Sequence, residues 1–247
     1  MIADSATPEP FLSIPLEKRV PMTSSVTTGV ARATRIAVPL WVTIAAAIVA
    51  SAAVGHATTG GPPVPDADHE LGMYGDPAAA GAYWRQQHWS DCGEMAVADV
   101  VGELTGHQPT ERQITALAER TSSPVGAGPI WQPPGNTNIR DLPLLLWHYW
   151  ITADNVQTST ASLEQALVEK RKVIAIVNAE TIWGRPGKRD SANHFVVVTG
   201  VDTKSGVVHL NDSGVETGRD EQVPLATFER AWAPNHNSAI VTRTAAR

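Results

Sequence analysis

Residues 194–212 read HFVVVTGVDTKSGVVHLND. Two β-branched runs, His194 to Val201 and Val207 to Ser213, flank the turn-forming stretch DTKSG, and that pattern predicts an antiparallel hairpin. With Gly200 paired near Gly206, the register sets His194 opposite Asp212. Opposed residues project to one face with Cβ atoms about 4.5–5.5 Å apart, within reach of an imidazole–carboxylate hydrogen bond. On the same register Asn211 and His209 point to the other face, which favours Asp212 as the orienting group and His194 as the base. A one-residue slip would separate the pair. A strand-capping His and a turn-opening Asp are the plainer explanation of such a pair taken alone, so further residues must decide.

Outward from the hairpin, KVIAIVN (172–178), Gln222 to Leu225 and Ser238 to Thr244 read as further strands, with a helical turn around Phe228 and Trp232. A short helix from Leu163 to Lys170, capped by Ser162, precedes them. Upstream the period changes to that of helices. Val97, Val100, Val101 and Leu104 recur at helical spacing after Cys92, with Asp91 and Glu94 as a capping box and Gly106 as a stop. A second helix opens at the capping pair Thr110 and Gln113, with Ile114, Leu117 and Ala118 on one face. A third covers Ile139 to Tyr149, with Pro143 in its first turn. Between these two lies SSPVGAGPIWQPPGNTN (122–138), a Gly/Pro loop long enough to form a cleft wall. Helices first and strands second give an α+β fold.

Cys92 is the chain's single cysteine, so it has no intramolecular disulfide partner. A cysteine in the first turn of a helix meets free backbone N–H groups and the positive end of the helix dipole, which favours the thiolate. Packing as a small apolar residue is the alternative, and Asp91 and Glu94 give it no electropositive setting. Six residues upstream, Gln86 offers an amide N–H for a developing oxyanion beside the Cys92 backbone N–H; Gln87 is an equally good amide.

Taken in order, Gln86, DCG at Asp91 to Gly93 opening a helix, HFVVVTGVD at His194 to Asp202 and LND at Leu210 to Asp212 resemble the papain-like cysteine peptidases. The similarity is strongest to the leader-cleaving peptidases of bacteriocin exporters, family thirty-nine of the cysteine peptidases, and covers roughly residues 83–243. It implies N-terminal helices packed on an antiparallel sheet, with a thiol hydrolase cleaving peptide bonds through an acyl-enzyme and needing no cofactor. Residue by residue, it implies Cys92 as nucleophile, Gln86 in the oxyanion hole, His194 as general base and Asp212 as orienter. Many relatives have Pro directly after Cys-Gly, where this chain has Glu94, and Pro after the catalytic Asp, where it has Ser213. No transporter segment is read.

The implied partner is a peptide or protein substrate. The runner-up is a cell-wall peptide, since NlpC-like and CHAP-type enzymes share the helix-start Cys and strand His, although NlpC-like enzymes usually show Asp-Cys-Ser-Gly rather than Asp-Cys-Gly-Glu. A non-catalytic binding module on the same fold is the other class, with Trp131 and Trp183 in loops as cleft candidates and Trp147 and Trp150 read as core.

At the N-terminal end, residues 36–54 (IAVPLWVTIAAAIVASAAV) carry no charge and follow Lys18, Arg19, Arg32 and Arg35, so residues 1–57 read as an export signal or membrane anchor. Everything beyond would then face outward, secreted or anchored. Residues 58–82, rich in Gly, Pro and Ala, read as a linker, leaving 83–243 as the catalytic domain. A formal net charge of -6 gives no attraction to nucleic acid, and neither paired CxxC nor HExxH spacing marks a metal site.

Overall fold

The computed structural model describes residues 72–243. The leader at 1–57, with its apolar run, and most of the 58–82 linker lie outside the described residues; among those described, no helix is long and apolar enough to cross a membrane. Along the chain run β1 (Met73–Gly75), α1 (Pro77–Ala80), α2 (Cys92–Thr105), α3 (Glu111–Arg120), a 3-10 turn (Ile139–Asp141) leading into α4 (Leu142–Trp147), β2 (Ala153–Gln157) and α5 (Thr160–Val168). There follow β3 (Val173–Val177), α6 (Ala179–Ile182), β4 (His194–Asp202), β5 (Val207–Asn211), β6 (Glu221–Pro224), α7 (Leu225–Trp232) and β7 (Ser238–Thr242). The fold is α+β, as the order of patterns implies.

The strands make one antiparallel sheet in the order β2-β7-β3-β4-β5-β6, and β1 pairs with Gly200–Asp202 of β4, past the point where β3 stops at Val198. Both faces of this sheet are covered, which explains why β3 and β4 read as unbroken apolar runs rather than alternating ones. Ile174, Phe195, Val197 and Ile240 pack against α2, α3 and α4, while Val173, Ala175, Val196 and Val198 pack against α5 and α7. Phe228 and Trp232 of α7 are fully buried on that second face, each stabilising the fold by roughly 1.5–3 kcal/mol.

Caps and boundaries follow the sequence unevenly. Thr110 and Gln113 make both halves of their capping box, and Gly106 ends α2 in the left-handed region at φ 74°. Asp91 makes no side-chain cap bond, so the predicted box at α2 does not form. Helix α5 starts at Thr160 under Ser159, whose side chain accepts from Ser162 N, three residues before the Ser162 cap read from the sequence. Two strands were hidden: β2 (ADNVQ), whose alternation is too polar to stand out, and β1, which lies inside the stretch read as linker. The folded domain therefore begins at least ten residues before Tyr83.

Strand β1 matters to the hairpin. Asp202, Val201 and Gly200 face Val207, Val208 and His209, but Val198 and Val197 face Leu210 and Asn211, because Thr199 is an extra residue bulged out of β4. The predicted Gly200–Gly206 pairing is thus corrected to Gly200–His209. On the turn side of the bulge, even-numbered residues of β4 pair with odd-numbered ones of β5; on the His194 side, even pairs with even. The bulge returns Asp212, rather than Asn211, to the face of His194. Continuing the pairing by one residue sets Asp212 opposite Val196, diagonal to His194 rather than directly across. The chain turns tightly against the bulge: Gly75 has φ 89°, and a Cβ there would lie 2.3 Å from the Thr199 carbonyl oxygen, so only glycine fits.

Candidate active site

His194 opens β4 and is buried, while Asp212 follows the last residue of β5. His194 Nε2–H donates to Asp212 Oδ1 at 2.7 Å. That leaves Nδ1 free of Asp212, and Cys92 lies near enough for its sulfur to act on the imidazole. The structure therefore brings Cys92, His194 and Asp212 together. Burial by itself would lower the His194 pKa, but the bond to Asp212 and the nearby Cys92, with their charges, outweigh it and push the imidazole up to about 10. Burial likewise works to raise Asp212, yet the bond and charge of His194, helped by Trp183 and the Gly214 N–H, hold its carboxyl below the usual range.

Every oxygen of Asp212 has a donor. Oδ1 also accepts from Gly214 N at 2.7 Å, Oδ2 accepts from Trp183 Nε1 at 2.8 Å, and the backbone carbonyl accepts from Trp84 Nε1 at 2.7 Å. The Trp183 indole, which follows α6, lies 5.1 Å from the imidazole centroid at 55°, and the Arg185 guanidinium stacks 4.6 Å above it. Gly214 completes the enclosure: a Cβ there would come within 2.9 Å of both His194 Cε1 and the Trp183 ring. Sequence reasoning singled out Trp183 as a cleft aromatic without its hydrogen bond, and passed over Trp84 and Gly214. The Asp-Ser-Gly turn was a usable signal for Gly214; nothing in the sequence marks Trp84.

Cys92 is the first residue of α2, with 9% of its surface exposed. Around it the acids are buried and short of donors. Both Asp91 carboxyl oxygens and Glu94 Oε2 have no hydrogen-bond donor, Glu94 Oε1 accepting from Thr137 Oγ1 at 2.5 Å. Burial, followed by the charge and carboxyl contact of Glu111, pushes Asp91 up to about 7. Burial outweighs the Thr137 bond and pushes Glu94 up to about 8. A protonated acid does not oppose a thiolate, so the setting that looked unfavourable in sequence is less anionic than two free carboxylates would make it. Gly93 serves packing: a Cβ would sit 3.2 Å from Leu142 and Phe195 side chains.

Of the two amides, the structure separates Gln86 from Gln87. Gln86 is exposed in a groove with Arg85, Gln108 and Thr110, whereas Gln87 lies against the Asp212 loop. Gln87 N donates to the Ser213 carbonyl at 2.9 Å, its Oε1 accepts from Ser213 Oγ at 2.7 Å and its Nε2 donates to Trp89 O at 2.7 Å. The polypeptide between Tyr83 and Cys92 thus holds the later amide, not the earlier one, against the Asp212 loop. Both departures from the family's wording thus carry contacts, Ser213 by holding Gln87 and Glu94 by holding Thr137. Thr137 belongs to the Gly/Pro loop, which is further pinned beside the nucleophile by Trp131 Nε1 donating to Ser90 O and by Ser90 Oγ donating to Pro134 O at 3.0 Å. Trp131 is buried as this pin rather than lining a cleft, and Trp147 and Trp150, read as core, are exposed at 52% and 84%. Asn211 points away from His194, its Nδ2 donating to Asp99 of α2 and to Ala80 O.

Comparison with known proteins agrees with this architecture. Residues 81–240 match the model of the Peptidase_C39 like family. Uncharacterized proteins of Mycobacterium tuberculosis and Mycobacterium bovis are each 48% identical over 195 residues, covering 69% of this chain and 84% of theirs. Among solved structures, a C39-like peptidase from Bacillus anthracis is 18% identical with a TM-score of 0.53, over 71% of this chain and 99% of its own, a likeness of fold.

Proposed function

This chain belongs to the Peptidase_C39 like family and is a cysteine peptidase-like hydrolase, and from that premise we propose that it cleaves amide bonds of a peptide through Cys92, His194 and Asp212. The observation that carries the proposal is the imidazole bonded through Nε2 to Asp212, with Cys92 near enough to act on it. In the resting pair the thiol proton sits on His194. The sulfur attacks the scissile carbonyl carbon, and the oxyanion is met by the Cys92 backbone N–H and the Gln87 amide. His194 then gives its proton to the leaving amine as the C–N bond breaks, leaving a thioester. Water attacks the thioester carbonyl, giving a proton back to His194, and the acid product leaves with the thiolate restored. Asp212 fixes the tautomer throughout and stabilises the imidazolium.

A location outside the cytosol is part of this proposal, supported by the basic flank and apolar run at 36–54. Protease shaving of intact cells should remove the catalytic domain or find it already in the medium; a domain protected in the cytosol contradicts it. An exported peptidase meets both free peptides and the peptides of the cell wall. Incubating the full-length protein and its Cys92→Ala variant with a peptide mixture and with purified cell wall, followed by mass analysis of products, tests the chemistry. New amino and carboxyl termini from either source, absent with Cys92→Ala, are the predicted result. No Cys92-dependent product from either source would contradict the proposal.

A further inference from the structure

Behind the triad stands a carboxyl that the mechanism above does not use. Glu221 is the first residue of β6 and pairs with Leu210 of β5, so its side chain lies on the face shared by Leu210 and, two residues on, Asp212. Glu221 is thus a diagonal neighbour of Asp212 on that face, near enough for the two carboxyls to act on each other, and its Oε2 is buried without any N–H or O–H donor. Two carboxylates in contact without a donor between them hold together only through a shared proton, as one acid and one carboxylate. The Asp212 carboxyl already has three donors, one of them a cationic imidazole, so the proton belongs on Glu221.

We propose that Glu221 is a positioning residue of the triad, an acid that hydrogen-bonds Asp212 from behind and sets, through its own proton, how strongly Asp212 holds His194. The proposal rests on the triad reading. Burial, followed by the charge and contact of Asp212, pushes Glu221 up to about 7, with His194 working partly against them. Below that value Glu221 is neutral and donates to Asp212, sharing its charge; above it the proton leaves and a second negative charge stands behind the imidazolium, strengthening its hold on the proton.

Other charged groups around β6 are engaged elsewhere. His209 of β5, on the opposite face, pairs with Asp220 at 2.6 Å. Arg219 lies 5.7 Å from the Trp84 ring, and on α7 Glu229 accepts from Thr160 while Arg230 donates to Thr227. Asp212 and His194 are therefore the groups that feel Glu221.

The test is a pH titration of the full-length protein from pH 5.5 to 8.5, following the His194 ring nitrogens by NMR. In the wild type the Nε2–H resonance should shift in a step centred near pH 7 while the imidazole stays protonated. Glu221→Gln, an isosteric neutral donor, should abolish the step and hold the resonance near its low-pH position. Glu221→Leu, removing the donor as well, should abolish it at a different position, a distinction that loss of packing alone would not produce. A step that persists in Glu221→Gln, or no step in the wild type, overturns the proposal. Repeating the titration in Cys92→Ala keeps this result separate from the hydrolase reading, because the Glu221 step needs no nucleophile.

Discussion

The two halves of the site handle buried carboxyls in opposite ways. On the hairpin side, Asp212 has His194, Gly214 and Trp183 as donors and stays ionised below the usual range. On the helix side, Asp91 and Glu94 are equally buried but short of donors, and both are pushed up, to about 7 and about 8. Charge is kept where hydrogen bonds hold it and discharged by protonation where they do not. A sequence shows acids on both sides of the site and cannot distinguish them; the count of donors does. The base side is built to hold one negative charge against an imidazolium, and the nucleophile side to suppress the charge of its acids.

The link between the halves is Gln87 on Ser213, and cutting it should have the largest effect. Gln87→Ala should lower turnover by about 10²–10³, as loss of one oxyanion donor does, with the fold retained. Gln86→Ala should change turnover by less than about threefold, since its side chain is exposed in a groove away from the Asp212 loop. The reverse ranking in steady-state kinetics would return the oxyanion role to Gln86.

Next in size is a disturbance confined to the hairpin side. Gly214→Ala drives a methyl to within 2.9 Å of both His194 Cε1 and the Trp183 ring, so the imidazole must move. A misplacement approaching 1 Å costs on the order of 10² in rate. Circular dichroism and Tm should show the fold intact while kcat falls and KM stays near the wild-type value; unchanged kcat would mean the imidazole has room it does not need.

On the helix side the effect should appear in stability rather than rate. The folded state holds the Glu94 proton up to about 8, whereas an unfolded chain releases it near the ordinary carboxyl value of 4.5. The folded state therefore binds more protons across that window, and stability falls as pH rises through it, on the order of 1.4 kcal/mol per unit. Glu94→Gln removes this loss. Its Tm should match the wild type near pH 4.5 and exceed it at pH 9, each kcal/mol being worth roughly 2–4 °C. A constant difference between the two curves would mean that Glu94 is ionised throughout.

Much of this arrangement is legible in residues 194–212, because β-branched runs around DTKSG leave the hairpin little alternative. Its register is not, since the bulge at Thr199 is braced by Gly75, more than a hundred residues earlier in a stretch that looks like linker. The same non-local logic separates the two amides. Spacing from Cys92 favours Gln86, but Ser213, which lies beyond β5, bonds Gln87 by both backbone and side chain. Local caps were readable where the partner is local, at Thr110 and Gln113, and failed at Asp91 and Glu94, where Glu111 and Thr137 compete for the same carboxyls.

The central claim is that Cys92 and His194 form one acid–base unit, and the most direct test is the rate of Cys92 alkylation by iodoacetamide as a function of pH. In the wild type, the imidazolium beside the sulfur should keep alkylation faster than that of a free thiol at pH 6 and nearly flat up to pH 8. In His194→Ala the rate at pH 6 should drop and then climb with pH as an isolated thiol's does. Superimposable curves for the two proteins, both climbing like a free thiol, would show that no pair exists and would contradict the account.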